Sequence, residues 1–317
     1  MRTLLIALGV FLFVLGCKKE SSPDNNGNGT NNFPSSGIIY QNSGMWVMNP
    51  DGSNKREIAS VTGMANSLSS SPDGSKFVYH RFGTGIVVLS KEGEKVVLKD
   101  DLVPNQSNVT WSKDGHLYLS YYKANTLGGQ YIFRVNADGS GLSQITPDFS
   151  DPVVTTPYDD MPSVAPDNSA LLFTSQRSGN MAVLNKMDMS TKKISYLTWP
   201  DGTNGSGTMG LYAAECPTWS PDGSKILVAA YTDNLLPQAE QSHAQLFVMN
   251  PDGSNPTALT HFTIERARYP AWSPDGSQIV FEKDSMFYTK ICVMNADGSG
   301  LKVLGSGQYP CYIGQPR

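Results

Sequence analysis

The sequence predicts an all-β fold: a six-bladed β-propeller of four-stranded antiparallel blades, closed by pairing of its N- and C-terminal segments. Three observations carry this. The first is a repeated turn. Trp219-Ser220-Pro221-Asp222-Gly223-Ser224-Lys225-Ile226 returns almost unchanged as Trp272-Ser273-Pro274-Asp275-Gly276-Ser277-Gln278-Ile279, with weaker copies around Asp73, Asp114 and Asp167. The aspartates at 73, 114, 167, 222 and 275 are 41 to 55 residues apart, a period that signals a repeat architecture. The second is a companion turn, Asn-x-Asp-Gly, at Asn49, Asn136, Asn250 and Asn295, each preceded by a short apolar run. The third is the leftover at each end of the chain. Residues 38–60 supply three strands without a first one, and residues 308–313 supply a first strand alone.

Each element follows from local chemistry. Pro presets φ for the first corner of a turn, Asp bonds its own downstream backbone, and Gly accepts positive φ. Two apolar runs joined by such a turn read as a hairpin. One repeat is therefore four strands, a to d, with the two motif turns at a–b and c–d. The blades assigned are 67–101, 107–146, 160–199, 215–260 and 268–305, with the split blade counted as the first. Ring closure leaves no exposed sheet edge around the ring.

Composition agrees. Of 317 residues, 39% are hydrophobic, 10% aromatic and 16% charged, with 30 Gly and 20 Pro; that is a chain of many short strands and turns. No stretch after residue 36 has helical periodicity. The net charge is −4 with no basic run, which excludes nucleic acid as an expected partner. There is no Walker-type loop, no Gly-x-Ser-x-Gly turn and no Cys–His spacing suited to zinc. The histidines at 80, 116, 243 and 261 lie in different repeats. Cys216, Cys292 and Cys311 are odd in number and cannot all pair with one another; they read as small buried apolar residues. Trp111, Trp219 and Trp272 share one repeat position and read as packing residues.

Residues 1–16 read as a signal peptide, with an apolar run from Thr3 to Gly16 too short to span a bilayer. Val14-Leu15-Gly16-Cys17 resembles the bacterial lipoprotein box, which implies cleavage before Cys17 and lipidation of its thiol. More than one acyl chain would give lasting attachment. Residues 17–36 read as the lipidated cysteine and a flexible tether with a reach of roughly 25 Å, and residues 37–317 as the propeller. Lys18 after the cysteine, by resemblance to enterobacterial sorting, implies the outer membrane.

The repeats resemble those of the TolB-type β-propeller, whose Trp-Ser-Pro-Asp-Gly turns they match over about residues 38–312. The resemblance implies the fold. It does not carry TolB's translocation role here, because an N-terminal α/β domain like TolB's is not read in residues 18–36. Similar propellers include oligogalacturonate lyases, which use clustered metal-binding histidines that this sequence does not match.

Variable loops on a rigid scaffold carry recognition. The long ones, 147–161, 200–215 and 232–243, all lie on the b–c and d–a face. The residues that open strand a at the channel mouth are Asn66, Ser107, Asp160, Glu215, Arg268 and Gln308, a polar funnel expected to hold a cation or polar ligand. The alternative for three of them is a salt-bridge cluster of Arg268 with Glu215 and Asp160. Tyr158, Tyr212 and Tyr269 are further recognition candidates. The expected function is a non-catalytic, monomeric envelope lipoprotein that binds a protein partner or glycan and requires no cofactor. The alternative is a polysaccharide lyase or glycoside hydrolase, with Asp159, Asp160 and Glu215 as the carboxylate set.

Overall fold

The computed structural model describes residues 33–61, 65–99, 108–122, 129–148, 158–177, 183–197, 212–231, 240 and 243–315. The leader, Cys17, Ser107 and most of the three long loops lie outside the described residues. Six four-stranded antiparallel sheets are formed. Blade II comprises Ala65–Ser70, Lys76–Arg81, Gly85–Ser90 and Gly93–Lys99, and blade VI comprises Arg266–Trp272, Gln278–Asp284, Thr289–Asn295 and Lys302–Ser306. Blades III, IV and V begin with Val109–Trp111, Asp159–Val164 and Tyr212–Trp219. The strands a touch one another in a closed cycle, so they are the innermost strands of a six-bladed propeller.

Blade I is composite. Its strand a is Gln308–Tyr312 and its strand b is Ile38–Gln41. They pair antiparallel, Ile38 opposite Tyr312 and Ile39 opposite Cys311, and Ile313 N–H donates to the Gly37 carbonyl at 3.0 Å. The closing core joins Ile38, Ile39, Met45, Tyr312 and Ile313 to Phe77 of blade II and Ile291 of blade VI. Strands b are buried along nearly their whole length, as in Ile226–Ala230 and Ala170–Ser175. A blade packs on both faces, so its central strands read as continuous apolar runs, not alternating ones.

The motif turns use their polar groups as expected. Asp222 Oδ1 accepts from Ser220 Oγ at 2.6 Å and from Ser224 N at 3.0 Å, and Asp275 repeats this with Ser273 and Ser277. In the c–d turns Asp51, Asp138, Asp252 and Asp297 accept from the backbone two residues on. These carboxylates are occupied by hairpin chemistry. The a–b turns also seal the seams between blades. A Cβ on Gly223 would lie 3.6 Å from Pro166, and one on Gly276 would lie 3.6 Å from Pro221. At the II–III seam the equivalent Gly115 has nothing within 4 Å. The cause is a turn one residue shorter: Trp111 pairs with Leu117, whereas Trp219 pairs with Ile226 and Trp272 with Ile279. A groove of about 320 Å³ opens there between Pro72, Lys76, Trp111 and Lys113.

Cys216, Cys292 and Cys311 are separate, buried thiols. Burial raises the Cys292 thiol to about 11. Trp111, Trp219 and Trp272 are buried at equivalent positions, as their shared repeat position implies.

Candidate functional site: the channel mouth

Strand a of five blades carries the same irregularity. In blade IV, Asp160 pairs with Thr174 and Ser163 with Leu172, so Met161 and Pro162 together oppose one residue. The same two-against-one register occurs at Ser67-Leu68, Cys216-Pro217, Tyr269-Pro270 and Tyr309-Pro310. The first residue of each pair is left-handed, with φ of 55° at Ser67, 54° at Met161, 50° at Cys216, 50° at Tyr269 and 51° at Tyr309. Proline at four of the second positions explains why the ladder breaks there, since it has no N–H to donate. A left-handed non-glycine residue costs about 1–2 kcal/mol, and β-bulges re-aim side chains next to functional sites.

The re-aimed side chains meet those of neighbouring blades. Met161 Sδ lies 3.9 Å from Cys216 Sγ and accepts the Cys216 N–H at 3.0 Å. The Tyr269 and Tyr309 rings stand edge to face at 4.6 Å. Ser67 Oγ donates to Val109 O and accepts from Val109 N, both at 3.0 Å. A pocket of about 20 Å³, space for about one water, is lined by Ser67, Asn108, Met161, Pro162, Cys216 and Pro217.

The polar residues named from the sequence fall as follows. Arg268 Nε donates to Glu215 Oε2 at 2.7 Å, across two blades, and the guanidinium sits 4.8 Å from the Tyr269 ring centroid. Burial is the largest single influence and works to lower the Arg268 pKa, but the Glu215 and Tyr269 charges and the Glu215 hydrogen bond together outweigh it and the net shift is upward. Asp160 does not join this pair. Its carboxylate accepts from Asn108 Nδ2 at 3.0 and 3.1 Å, from Met161 N at 2.8 Å and from Ser120 Oγ. Burial pushes its pKa up against those hydrogen bonds. Asp159 is fully buried in a two-pronged pair with Arg177, at 2.8 Å from Nε and 2.6 Å from an Nη, and also accepts from Ser175 Oγ at 2.7 Å. Tyr158 is exposed, and burial of its hydroxyl end together with the Asp160 charge raises its pKa. Tyr269 is raised by burial as well. Gln308 is half-buried opposite Gln41. Asn66 pairs with His80 in the backbone register and Tyr212 with Tyr231; their side chains lie outside the described set.

The arrangement is therefore a pair, Glu215 with Arg268, flanked by tyrosines and two sulfur atoms, with Asp160 held apart in its own hydrogen-bond cage. Met161, Tyr309 and Asn108 were not singled out from the sequence, and Cys216 was read there only as a small buried apolar residue. A signal was present, because Asp160-Met161-Pro162, Glu215-Cys216-Pro217, Arg268-Tyr269-Pro270 and Gln308-Tyr309-Pro310 all place proline two residues after the funnel position. Also missed was an apolar patch on the b–c and d–a face of blade VI. Met286 is 94% exposed, Phe287 90% and Ile264 75%. Tyr288 ties the two loops together by donating to Glu265 at 2.8 Å.

No protein-family model matches the sequence. Solved structures do match in fold. TolB from Acinetobacter baumannii superposes with a TM-score of 0.66 at 17% identity, over 88% of this chain and 66% of that one, so this chain spans just under two thirds of its length. A putative TolB from Agrobacterium tumefaciens gives 0.62 at 16% identity over 90% of this chain and 99% of that one. A chain of a nidogen/laminin complex gives 0.61 at 9% identity over 88% and 98%. With its six blades, its Trp-Ser-Pro-Asp-Gly turns and its composite closing blade, this chain has the fold of a TolB-like β-propeller.

Proposed function

We propose that this protein is a non-catalytic binding scaffold of the bacterial cell envelope that engages a protein partner through the b–c and d–a face. The observation that carries this reading is the patch of Ile264, Met286 and Phe287, apolar side chains held in water on one rim of that face. Clustered exposed apolar residues mark interaction sites, and Phe, Tyr and Met are enriched at protein interfaces. Tyr288 and the Arg268–Tyr269 stack supply polar-tipped aromatic contacts nearby in the same blade. The nidogen/laminin neighbour lends support as a related ring in a protein–protein complex.

Residue 37 enters the ring on the a–b turn face, beside the last residues of strand a of blade I. Support for binding over glycan cleavage comes from the three carboxylates: Asp159 is committed to Arg177, Asp160 to Asn108 and Ser120, and Glu215 to Arg268.

The test is site-specific photocrosslinking in intact envelopes. A photoreactive residue at Phe287 is expected to capture one discrete protein, and one at Ser75 on the turn face is not. Met286→Asp should abolish capture while leaving the unfolding midpoint unchanged. Equal capture from both faces, or release of reducing ends from envelope glycan with no protein captured, would reject the reading.

A further inference from the structure

One seam of the ring is left open on the a–b turn face. At the I–II, IV–V and V–VI seams the glycine of the turn packs against its neighbour: a Cβ on Gly74 would meet Ile313 at 2.9 Å, and one on Gly223 or Gly276 would meet Pro166 or Pro221 at 3.6 Å. The blade III turn is one residue short and carries Lys113 where the other motif turns carry Pro72, Pro166, Pro221 and Pro274. Nothing lies within 4 Å of Gly115 there, and the groove of about 320 Å³ results. We propose that this groove is a binding site for a neutral hexose unit of a glycan chain. It is on the face opposite the apolar patch of blade VI and stands whether or not that patch takes a protein.

Three features point to a sugar. The first is size. Small-ligand sites begin at about 300 Å³, and 320 Å³ is about ten water volumes of roughly 30 Å³, space for one sugar ring of about twelve heavy atoms.

The second is the mixture of polar groups. A hydroxyl donates once and accepts twice, so a ring of hydroxyls needs donors and acceptors together. Lys76 of blade II and Lys113 of blade III supply donors; neither ammonium is within ion-pair or hydrogen-bond reach of a carboxylate among the described residues. Lys113 also has a backbone N–H that proline at this position lacks. The acceptors are Asp73 and Asp114, both exposed. Each is anchored mainly through one oxygen. Asp73 Oδ1 accepts from Ser71 Oγ at 2.6 Å and Ser75 N–H at 3.0 Å, while Asp114 Oδ1 accepts from Ser112 Oγ and lies 3.2 Å from His116 Nδ1. Lone pairs on the second oxygen of each are left for ligand hydroxyls.

The third is the balance of charge and apolar surface. Two lysines face two aspartates, which favours an uncharged ligand over an anion. Pro72, Trp111 and Ala137 add a small apolar floor suited to the C–H face of a sugar ring. None of the large apolar side chains exposed among the described residues lines the groove, so a peptide has no anchor there.

The experiment is calorimetric titration of the full chain with maltotetraose, cellotetraose and mannotetraose as neutral probes and tetragalacturonate as the acidic one. At least one neutral probe should bind with a Kd of about 1 mM or tighter, and tetragalacturonate at least tenfold more weakly. Lys113→Pro with a serine inserted after Gly115 restores the full-length turn; it should close the groove and abolish binding. Lys76→Met combined with Lys113→Met removes only exposed ammonium groups; it should weaken binding at least tenfold with an unchanged unfolding midpoint. Met286→Asp, which tests the protein-binding face, should leave sugar binding as it was. A further readout needs no substitution: saturating sugar should protect Lys76 and Lys113, but not Lys302, from acetic anhydride, read by mass spectrometry. Absence of any neutral probe binding below about 10 mM, tighter binding of tetragalacturonate, binding that survives the double lysine substitution, or unaltered labelling would each overturn the proposal.

Discussion

Arg177 and Asp159 form an ion pair whose side chains are 4% and 0% exposed. Truncating Arg177→Ala removes both prongs to Asp159, at 2.8 and 2.6 Å, and the bond to the Pro147 carbonyl at 2.8 Å. Among the described residues the Asp159 carboxylate then keeps Ser175 Oγ as its side-chain donor. Removing one partner of a buried pair typically costs about 3–5 kcal/mol, because a charge is left without compensation, while replacing both by apolar groups of similar size is nearly neutral. Against a total stability of about 5–15 kcal/mol, Arg177→Ala should lower Tm by about 5–9 °C. Asp159→Leu combined with Arg177→Met should recover at least half of that loss. The assay is urea and thermal unfolding of the four members of a double-mutant cycle. An Arg177→Ala cost below about 1 kcal/mol, or a double variant no more stable than the single one, would refute the argument. It would also return Asp159 to the set of residues free to contact a ligand.

Four further outcomes are expected. Gly139 has φ of 91° and a Cβ there would meet the Val97 carbonyl at 2.3 Å, whereas Gly93 has φ of 109° and open space; Gly139→Ala should cost at least about 2 kcal/mol and Gly93→Ala about 1, checked by urea midpoints. Deleting residues 308–317 exposes strand b of blade I and removes buried Cys311, Tyr312 and Ile313, about 5–8 kcal/mol at 1.5–3 per large side chain; the truncated chain should lose its cooperative transition, and adding the missing segment as a peptide should restore it. Asp222 and Asp275 are each held at about 2, chiefly by the Ser220 and Ser273 hydroxyls. A carboxylate lowered on folding contributes stability above its unfolded pKa, so stability should fall from about pH 4 towards 2, and Asp222→Asn should flatten that fall in acid-titration unfolding. Asp160 has the opposite sign: its raised pKa means its favourable contribution is complete below the unfolded value and is lost as pH rises through the folded one. Asp160→Asn should therefore gain on the parent protein with rising pH, and a flat difference between pH 4 and 8 would contradict the burial argument.

The repeat architecture, the blade count and the closing blade were legible in the residues themselves. Turn chemistry is local: Pro221-Asp222-Gly223 needs only its own neighbours to form the hydrogen bonds seen at 2.6 and 3.0 Å. A turn repeated at blade spacing, with strand a left over at one end and strands b to d at the other, permits few closures. The tertiary structure decided what the channel mouth is made of. A single bulged residue reverses which side chain faces inward, so Met161, Cys216, Tyr269 and Tyr309 meet around the mouth, while Asp160 turns into a cage of neutral donors. It also decided that Glu215 and not Asp160 holds Arg268, that Asp159 is spent on Arg177, and that one missing turn residue opens the seam beside Gly115. Each of these depends on the approach of groups more than 15 residues apart in the chain or on adjacent blades. Periodicity places such residues on strands, but only packing chooses their partners.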